Sequence, residues 1–414
     1  MLANARFWRI RGSDCPPILM SWNMIGRSDP SPLFFSPPAA VEISICADKE
    51  LGMLVLSNDD VKSVLDMQGT MSALRVGYDD LKRGEATYGP RIDYYLPTGR
   101  DSDYYQWGNM VGASSSFGVV AIRMKSDIAS WPDGKTQEKY CVKPGLFCGL
   151  VMLFSASDGA PLAIIQDGYL QHMRVGGSMG IGVDLLARSD ATSVGMLGSG
   201  GMARSFLEAF VLARRVDTVR VFSPTKANRD AYAKEMSEKL GIQIDSVGTP
   251  EEAVRGALIV ASATDSMVPT FEPEWLSPGA HVVCVTRREL SEALISRSDV
   301  IVQLGINTVP FGTPMPMIEW KAGGISSFVA GSVQDRARIP DARAASTGEY
   351  PLMLEVETGK VPGRISDEQI TLFIGTGTQG LQFASVGGHV FREATKHGLG
   401  HELPLDWFLQ DIRD

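Results

Sequence analysis

Cysteine and strongly basic segments are scarce in this sequence, and their scarcity excludes several classes of protein. Five cysteines occur in 414 residues and none forms a Cys-x-x-Cys pair, so we expect neither a disulfide framework nor a cysteine-rich zinc site. This usage indicates a reducing compartment, the cytoplasm. The formal net charge is -9 and no dense run of lysine and arginine is present, which argues against nucleic acid and anionic membranes as partners.

Long apolar runs and metal-binding patterns are also missing. No apolar run reaches the roughly 18 residues that cross a bilayer. The five histidines show no metal-ligand spacing, so we expect no metal. Prolines at positions 30, 32, 37 and 38 interrupt the apolar core that a signal peptide needs. We therefore expect residues 1–52 to be a poorly ordered N-terminal extension.

The chain is long enough for two domains, and its composition is ordinary, at 44% hydrophobic and 21% charged residues. Apolar segments alternate with helical patterns after residue 189, which predicts a doubly wound parallel sheet. The predicted strands are 193–197, 218–222, 242–246, 258–262, 281–285 and 300–303. The fold class is therefore α/β: a Rossmann-type domain at 189–325 inserted in an α+β domain formed by 53–188 and 326–414.

A glycine-rich turn, Gly198-Ser199-Gly200-Gly201-Met202-Ala203, joins the first of these strands to a helix. Gly198 permits a tight turn, Gly200 lets the backbone approach a ligand, and Ala203 is small enough for helix and strand to pack closely. The free N–H groups at the start of such a helix bind phosphate. We interpret the turn as the site of a dinucleotide pyrophosphate.

The choice of dinucleotide depends on the end of the second strand, where an acidic residue favours NAD. The sequence has no acid there. It has Ser223, Thr225, Lys226 and Arg229, which are suited to a 2′-phosphate, so NADP is favoured over NAD. The alternative is that Lys226 and Arg229 form the solvated face of the next helix.

Several short motifs, taken in order and spacing, resemble the ornithine cyclodeaminase/mu-crystallin family over residues 53–414. The motifs are 53–57, Arg91–Pro97, Ser157–Pro161, Met173-Arg174, Gly198–Ala203, Gly256–Val260, Gly363–Ser366, Ile370–Phe373 and Gly398–Gly400. The resemblance implies a homodimer with a substrate-binding and dimerisation domain formed from both ends of the chain. It also implies hydride exchange between a nicotinamide and a carbon that bears nitrogen.

By the same resemblance, Arg91, Arg123 and Arg174 occupy the positions that bind the substrate carboxylate. Arginine suits this task because its planar guanidinium binds a carboxylate in bidentate fashion. A lysine is typical of the family where this chain has Arg123, and Lys125 lies two residues further on the same strand face. The alternative is that each arginine is a surface or interface residue with a local acidic partner.

Asp265 is the candidate acid/base, because it follows the fourth predicted parallel strand at the end where α/β sheets bind ligands. In cyclodeaminases the matching position carries the catalytic acid/base. Ala263 and Thr264, just before it, are expected to contact the cofactor. The alternative is an Asx turn that ends the strand.

The sequence departs from the family pattern in ways that leave the substrate open. Segments 101–118 and 131–139 are longer than usual, and Arg75 and Phe383 replace acidic residues that are common in members. The expected activity is deamination and cyclisation of an amino acid through an imine. The alternatives are reduction of a cyclic imine, amino-acid dehydrogenation or, without turnover, a mu-crystallin-like ligand-binding protein.

Overall fold

The structure is a computed structural model, and it describes residues 52–100, 103–306, 319–321, 324–341 and 350–412. The N-terminal extension predicted for residues 1–52 lies, up to residue 51, outside the described residues. Among the helices of the described ranges, none combines the length and the apolar character that a membrane span requires.

The secondary structure begins with a strand and two helices and then forms two sheets. The strands are β1 (Met53–Leu56), β2 (Ala86–Tyr88), β3 (Ile92–Pro97), β4 (Asp103–Ser114), β5 (Val119–Ser130), β6 (Glu138–Tyr140), β7 (Cys148–Ser155), β8 (Pro161–Gln166), β9 (Ser193–Leu197), β10 (Thr218–Phe222), β11 (Gln243–Ser246), β12 (Ile259–Ser262), β13 (His281–Cys284), β14 (Val300–Gln303), β15 (Glu319–Lys321), β16 (Gly324–Val329), β17 (Thr371–Ile374) and β18 (His401–Leu403). The helices are α1 (Asn58–Val64), α2 (Met67–Arg83), α3 (Gly168–Leu186), α4 (Gly201–Ala213), α5 (Lys226–Leu240), α6 (Pro250–Val254), α7 (Glu292–Arg297), α8 (Val333–Arg338), α9 (Met353–Glu357) and α10 (Gln379–His397).

Eleven of the described strands form one mixed sheet. Its order is β15-β16-β3-β4-β5-β7-β8-β1-β18, with β2 paired to β4 and β6 paired to β5. Burial alternates along β5, so Arg123, Lys125 and Asp127 share one buried face. The long central strands of this sheet therefore place several charged side chains together on one surface.

Seven of the described strands form the second sheet, in the order β11-β10-β9-β12-β13-β17-β14, and every pairing in it is parallel. This confirms the predicted Rossmann-type fold. The prediction that all residues after 325 belong to the α+β domain is wrong for β17, which lies in the parallel sheet. All four residues of β17 are buried, as is typical of strands inside a parallel sheet that is covered on both faces, and β17 pairs with β13 and β14. The other domain boundaries stay a prediction.

The two segments that are longer than the family pattern add strands to the mixed sheet. Segment 101–118 supplies β4, whose buried face carries Gln106 and Gly108, so the alternation of apolar residues was too weak to predict it. Segment 131–139 ends in β6, which pairs with β5. Before that strand, the Met267 N–H donates to the Lys135 carbonyl at 2.6 Å, which ties the segment to the loop after β12.

Helix α3 connects the two sheets and is buried along most of its length. Its glycines allow a close approach to α4: a Cβ at Gly176 would lie 2.5 Å from the Ser205 carbonyl oxygen, and one at Gly180 would lie 2.6 Å from the Ala209 Cβ. Helix α10 packs on β4 and β5 of the mixed sheet. These contacts hold the strand ends of both sheets around one cavity.

Candidate functional site

A cavity of about 550 Å³ lies between the mixed sheet and the carboxyl ends of the parallel strands. Arg91, Arg123 and Lys125 line it from the mixed sheet, and Arg174 lines it from α3. Ligands of α/β sheets bind at the carboxyl ends of the strands. The structure therefore brings the four predicted substrate-binding residues to the place where a ligand is expected.

The glycine-rich turn lies at the edge of this cavity, since Met202 is among its lining residues. Gly198 has a φ of +108°, and a Cβ there would lie 2.4 Å from the Ala263 carbonyl oxygen. Only glycine fits these two constraints. The Gly198 N–H donates to the Phe222 carbonyl at 2.8 Å, which fixes the turn against the end of β10.

The start of α4 fits a dinucleotide pyrophosphate. Gly200 is the N-cap residue and no side chain caps the helix, so the N–H groups of Gly201, Met202 and Ala203 are available to a ligand. A Cβ at Gly200 would meet nothing within 4 Å, so open space lies in front of the turn. The Ser199 hydroxyl donates to the Ser223 hydroxyl at 2.9 Å and joins the turn to the next strand end.

Beyond β10, the structure brings together the residues that were predicted to select the cofactor. Arg229 lies over the Phe222 ring, 5.8 Å from its centroid, and donates to the Ser223 carbonyl at 2.9 Å. Its buried Nε has no partner among the described residues. Lys226 is exposed and paired with Asp230, and Thr225 is the exposed N-cap of α5. Arg229 is therefore the cation best placed for a further anionic group.

Thr264 is held by a residue that the sequence analysis missed. The buried Glu289 carboxylate accepts hydrogen bonds from Ser262 Oγ at 2.9 Å, from the Thr264 N–H at 2.9 Å and from Thr264 Oγ1 at 2.6 Å. Burial raises the pKa of Glu289, although these donors oppose the shift. An acid placed five residues after β13, at the ligand-binding end of the sheet, is the signal that could have found it.

Asp265 lies next to the cavity and is exposed, and it is not among the cavity-lining residues. Its carbonyl accepts from the Gln137 N–H at 3.3 Å, and Met267, two residues on, lines the cavity. Its charge also acts on the lining residue Arg288. The loop thus carries Asp265 to the rim of the site.

Three of the four predicted carboxylate-binding cations have an acidic partner. Arg91 forms two hydrogen bonds with Asp93, at 2.9 and 3.0 Å. Arg123 donates to Asp167 at 2.6 Å. The Lys125 Nζ lies 3.4 Å from Asp127 Oδ2 and makes no hydrogen bond to a described residue. The paired arginines are held rigidly, whereas Lys125 keeps its donors available.

Arg174 differs from these three because its hydrogen-bond partners are neutral. It donates to Gln382 at 2.9 Å and to Gln171 at 2.8 and 3.2 Å, and its guanidinium lies 4.7 Å from the centroid of the Phe383 ring. Burial, with the nearby Arg123 as a second cause, lowers the pKa of Arg174 to about 9. A buried cation without an anion is a binding site for a carboxylate.

Lys125 is shifted for the same reasons. Burial is the larger cause and the Arg91 charge is the next, and together they lower the pKa of Lys125 to about 8. A bound carboxylate would favour the charged form of both Lys125 and Arg174. Among the described residues, no group of three or more His, Cys, Asp and Glu side chains is arranged to hold a metal ion.

Comparison with known proteins gives this site a context. The model of the ornithine cyclodeaminase/mu-crystallin family matches residues 143–385. A Δ1-pyrroline-2-carboxylate reductase from Bacillus cereus is 26% identical over 260 residues, which cover 62% of this chain and 74% of that protein. An ornithine cyclodeaminase from Agrobacterium fabrum is also 26% identical, over 264 residues that cover 62% of this chain and 65% of that protein.

A solved structure has the same fold. It is the Δ1-pyrroline-2-carboxylate reductase of Thermococcus litoralis in complex with NADH and L-proline, 23% identical, with a TM-score of 0.66 over 85% of this chain and 100% of that chain. The family model covers more than half of the chain, and its range includes the glycine turn, Arg174 and Asp265. This chain belongs to the ornithine cyclodeaminase/mu-crystallin family.

Proposed function

We propose that this protein is an NAD(P)-dependent oxidoreductase that exchanges hydride at the α-carbon of an amino acid or of its imine. The observation that carries this proposal is Arg174, a buried cation without an acidic partner, in a cavity bordered by the dinucleotide turn. The nicotinamide supplies or accepts the hydride when it is bound. Residues 189–325, together with β17, are proposed to bind it.

The chain's own residues prepare the substrate for this exchange. Arg174 and Lys125 hold the carboxylate, and Arg91 and Arg123, fixed by Asp93 and Asp167, keep the cavity electropositive. We propose Asp265 as the group that takes or returns the proton of the substrate nitrogen, from its position on the rim. Arg174 itself is buried between α3, which carries it, and Gln382 of α10.

The net reaction depends on the substrate. A substrate with a terminal amine would cyclise and lose ammonia, whereas one without it would undergo simple reduction or dehydrogenation. Holding a terminal ammonium requires a free acid besides Asp265, which is assigned to the α-nitrogen, and each acid lining the cavity is paired with a cation: Asp127 with Lys125, Asp167 with Arg123, and Asp341 with Lys321. This pairing favours an imine reductase or amino-acid dehydrogenase over a cyclodeaminase.

The experiment that tests this proposal measures stoichiometry. A panel of amino acids and cyclic imines is assayed with NADH, NADPH and their oxidised forms, and both absorbance at the nicotinamide band and ammonia are followed. Steady consumption of the reduced cofactor with an imine supports reduction. Ammonia release without net cofactor turnover would establish cyclodeamination instead, and cofactor binding without turnover would establish a mu-crystallin-like binding protein.

For the cofactor we propose NADP over NAD, because the end of β10 offers Arg229 and no acid.

We also propose a homodimer in the cytoplasm. A solved structure of the same fold is an archaeal alanine dehydrogenase dimer with bound NAD, 21% identical, with a TM-score of 0.64 over 85% of this chain and 99% of that chain. Light scattering of the purified protein tests the dimer directly.

A further inference from the structure

The cavity and the whole chain differ in the sign of their charge. Seven lysine and arginine side chains line the cavity and only three aspartates do, although the chain carries a formal net charge of -9. Like charges that converge in a partly buried site repel one another unless an anion compensates them. Four of the seven have an acidic partner: Arg91 with Asp93, Arg123 with Asp167, Lys125 with Asp127 and Arg287 with Glu292. The other three, Arg174, Lys139 and Arg288, form no ion pair with a described residue and point to an anionic ligand with more than one negative group.

Two lining cations, Lys139 and Arg288, form a patch that the carboxylate site at Arg174 does not include. Neither makes an ion pair with a described residue. Arg288 donates to the neutral Gln137 Oε1 at 3.4 Å, and its Nε is buried without a partner among the described residues. We call Lys139 and Arg288 the distal patch.

The distal patch is separate from Arg174. Burial lowers the pKa of Lys139 well below its usual value, and the charges of Lys125, Arg91 and Arg288 lower it further. The charges that act on Arg174 are those of Arg123, Asp167, Tyr78 and Arg91. Lys139 pairs with Ala129 of β5, six residues along the strand from Arg123. Arg123 forms its ion pair with Asp167 at the start of α3, the helix that carries Arg174. The two cationic groups therefore lie on different parts of the cavity wall.

Segment 131–139, one of the two that are longer than the family pattern, supplies Lys139 to the distal patch. Lys139 lies on β6, which the pairing of Tyr140 with Ile128 attaches to β5. The same segment supplies Gln137, the partner of Arg288, and its backbone bonds to Met267. Lys139 thus belongs to a segment in which the chain departs from the family pattern, and Arg288 reaches the same part of the cavity wall from the turn after β13.

We propose that the substrate is a dicarboxylate amino or imino acid, with its α-carboxylate at Arg174 and its second carboxylate at the distal patch. This inference rests on the proposed function. The Glu289 and Asp265 carboxylates stabilise the charge of Arg288 but form no ion pair with it. A substrate with one carboxylate would leave Lys139 and Arg288 without an anionic hydrogen-bond partner, whereas a second carboxylate forms charge-assisted hydrogen bonds with both. It also fits a reaction without cyclisation, because such a side chain carries no terminal amine.

The first experiment compares acids of equal chain length. Reductive amination of 2-oxoglutarate and of 2-oxopentanoate, each with ammonia and a reduced cofactor, measures kcat/KM for one and two carboxylates. We expect the dicarboxylate to be favoured at least about 100-fold. Calorimetric titration with glutarate and valerate, five-carbon acids that are not turned over, should show the same order of affinity.

Variants assign the preference to the distal patch. Lys139→Met and Arg288→Met should each lower kcat/KM for 2-oxoglutarate by about tenfold or more and leave 2-oxopentanoate unchanged. Lys135→Met, at an exposed lysine of the same segment, is the matched control and should change neither.

Other outcomes separate the two proposals. Turnover that favours 2-oxopentanoate, or an equal loss for both acids in Lys139→Met, would overturn the dicarboxylate proposal and leave the oxidoreductase intact. Equal affinity for glutarate and valerate would do the same. If neither acid were turned over and neither nucleotide bound, the proposed function would fail and this inference with it.

Discussion

The nucleotide turn and the cationic cavity meet in one site, but they are built in different ways. The turn lies within 33 consecutive residues, 193–225, and is proposed to bind the nucleotide through backbone N–H groups at the start of α4, where Gly200 leaves open space. The cavity gathers charged side chains from β5, β6, α3 and the turn after β13. Backbone recognition is determined locally, whereas a cluster of like charges needs acidic and neutral partners from distant parts of the chain.

The largest expected effect on turnover is that of a substitution at Asp265, on the rim of the cavity. Asp265→Asn should lower turnover about 1000-fold, because general acid/base groups typically contribute factors of this size, and it should leave nucleotide affinity unchanged. Steady-state rates and fluorescence titration with NADPH measure the two quantities. Asp217→Asn, at a surface aspartate, is the control; wild-type rates in Asp265→Asn would remove Asp265 from the mechanism.

Gly200→Asp should weaken nucleotide binding and leave the cationic cavity intact. The open space in front of Gly200 accepts the side chain without a clash, but the carboxylate would meet the pyrophosphate and weaken nucleotide binding more than about 100-fold. Calorimetry measures the Kd, and circular dichroism checks that the fold is kept. Gly200→Ala adds only a methyl group and should have a smaller effect. Unchanged affinity in Gly200→Asp would contradict the assignment of the turn.

Arg174→Met should weaken binding of the substrate carboxylate and leave nucleotide binding intact. Loss of a buried charge-assisted bond to the substrate carboxylate costs about 2–3 kcal/mol, so kcat/KM should fall about 100-fold while the nucleotide Kd stays the same. Arg215→Met, at an exposed arginine, should behave like the wild type. A variant that lost nucleotide binding and activity together would show that the two regions are not independent.

The pH dependence of kcat/KM should distinguish the cationic cavity from the glycine-rich turn. The charged form of Lys125 binds the carboxylate and its pKa is about 8, so kcat/KM should be flat below pH 8 and fall about tenfold per unit above it. Lys125→Arg stays charged and should move this fall to higher pH. Nucleotide binding should show no such transition, and a wild-type profile that is flat to pH 10 would exclude this role.

Arg229→Met should give the smallest effect, a loss of about tenfold in NADPH affinity with little change for NADH, since one charge-assisted contact to a phosphate is removed. Lys226→Met should change less, because Asp230 already pairs with that ammonium. Fluorescence titration with both nucleotides makes the comparison, and an equal loss for NADH and NADPH would argue against a 2′-phosphate site.

Much of the parallel sheet was predictable, since β9, β10 and β14 follow from local patterns. Strand β4 was missed because its buried face carries Gln106 and Gly108. The sheet to which β17 belongs could not be predicted, because three apolar residues and a threonine do not indicate which sheet buries them. Glu289 and Asp167 were missed because the roles of buried acids depend on partners far along the chain.

The glycine-rich turn could be recognised from local sequence, because a glycine with positive φ, an uncapped helix start and two flanking strands all lie within one short segment. Only the tertiary structure decided which cations are free to bind a ligand. Arg91 and Arg174 look alike in the sequence, but the first forms an ion pair with Asp93, whereas the second donates its hydrogen bonds to glutamines of the described residues and lies over a phenylalanine ring. The physical reason is that the charge of a buried site is a sum over neighbours, and folding alone brings those neighbours together.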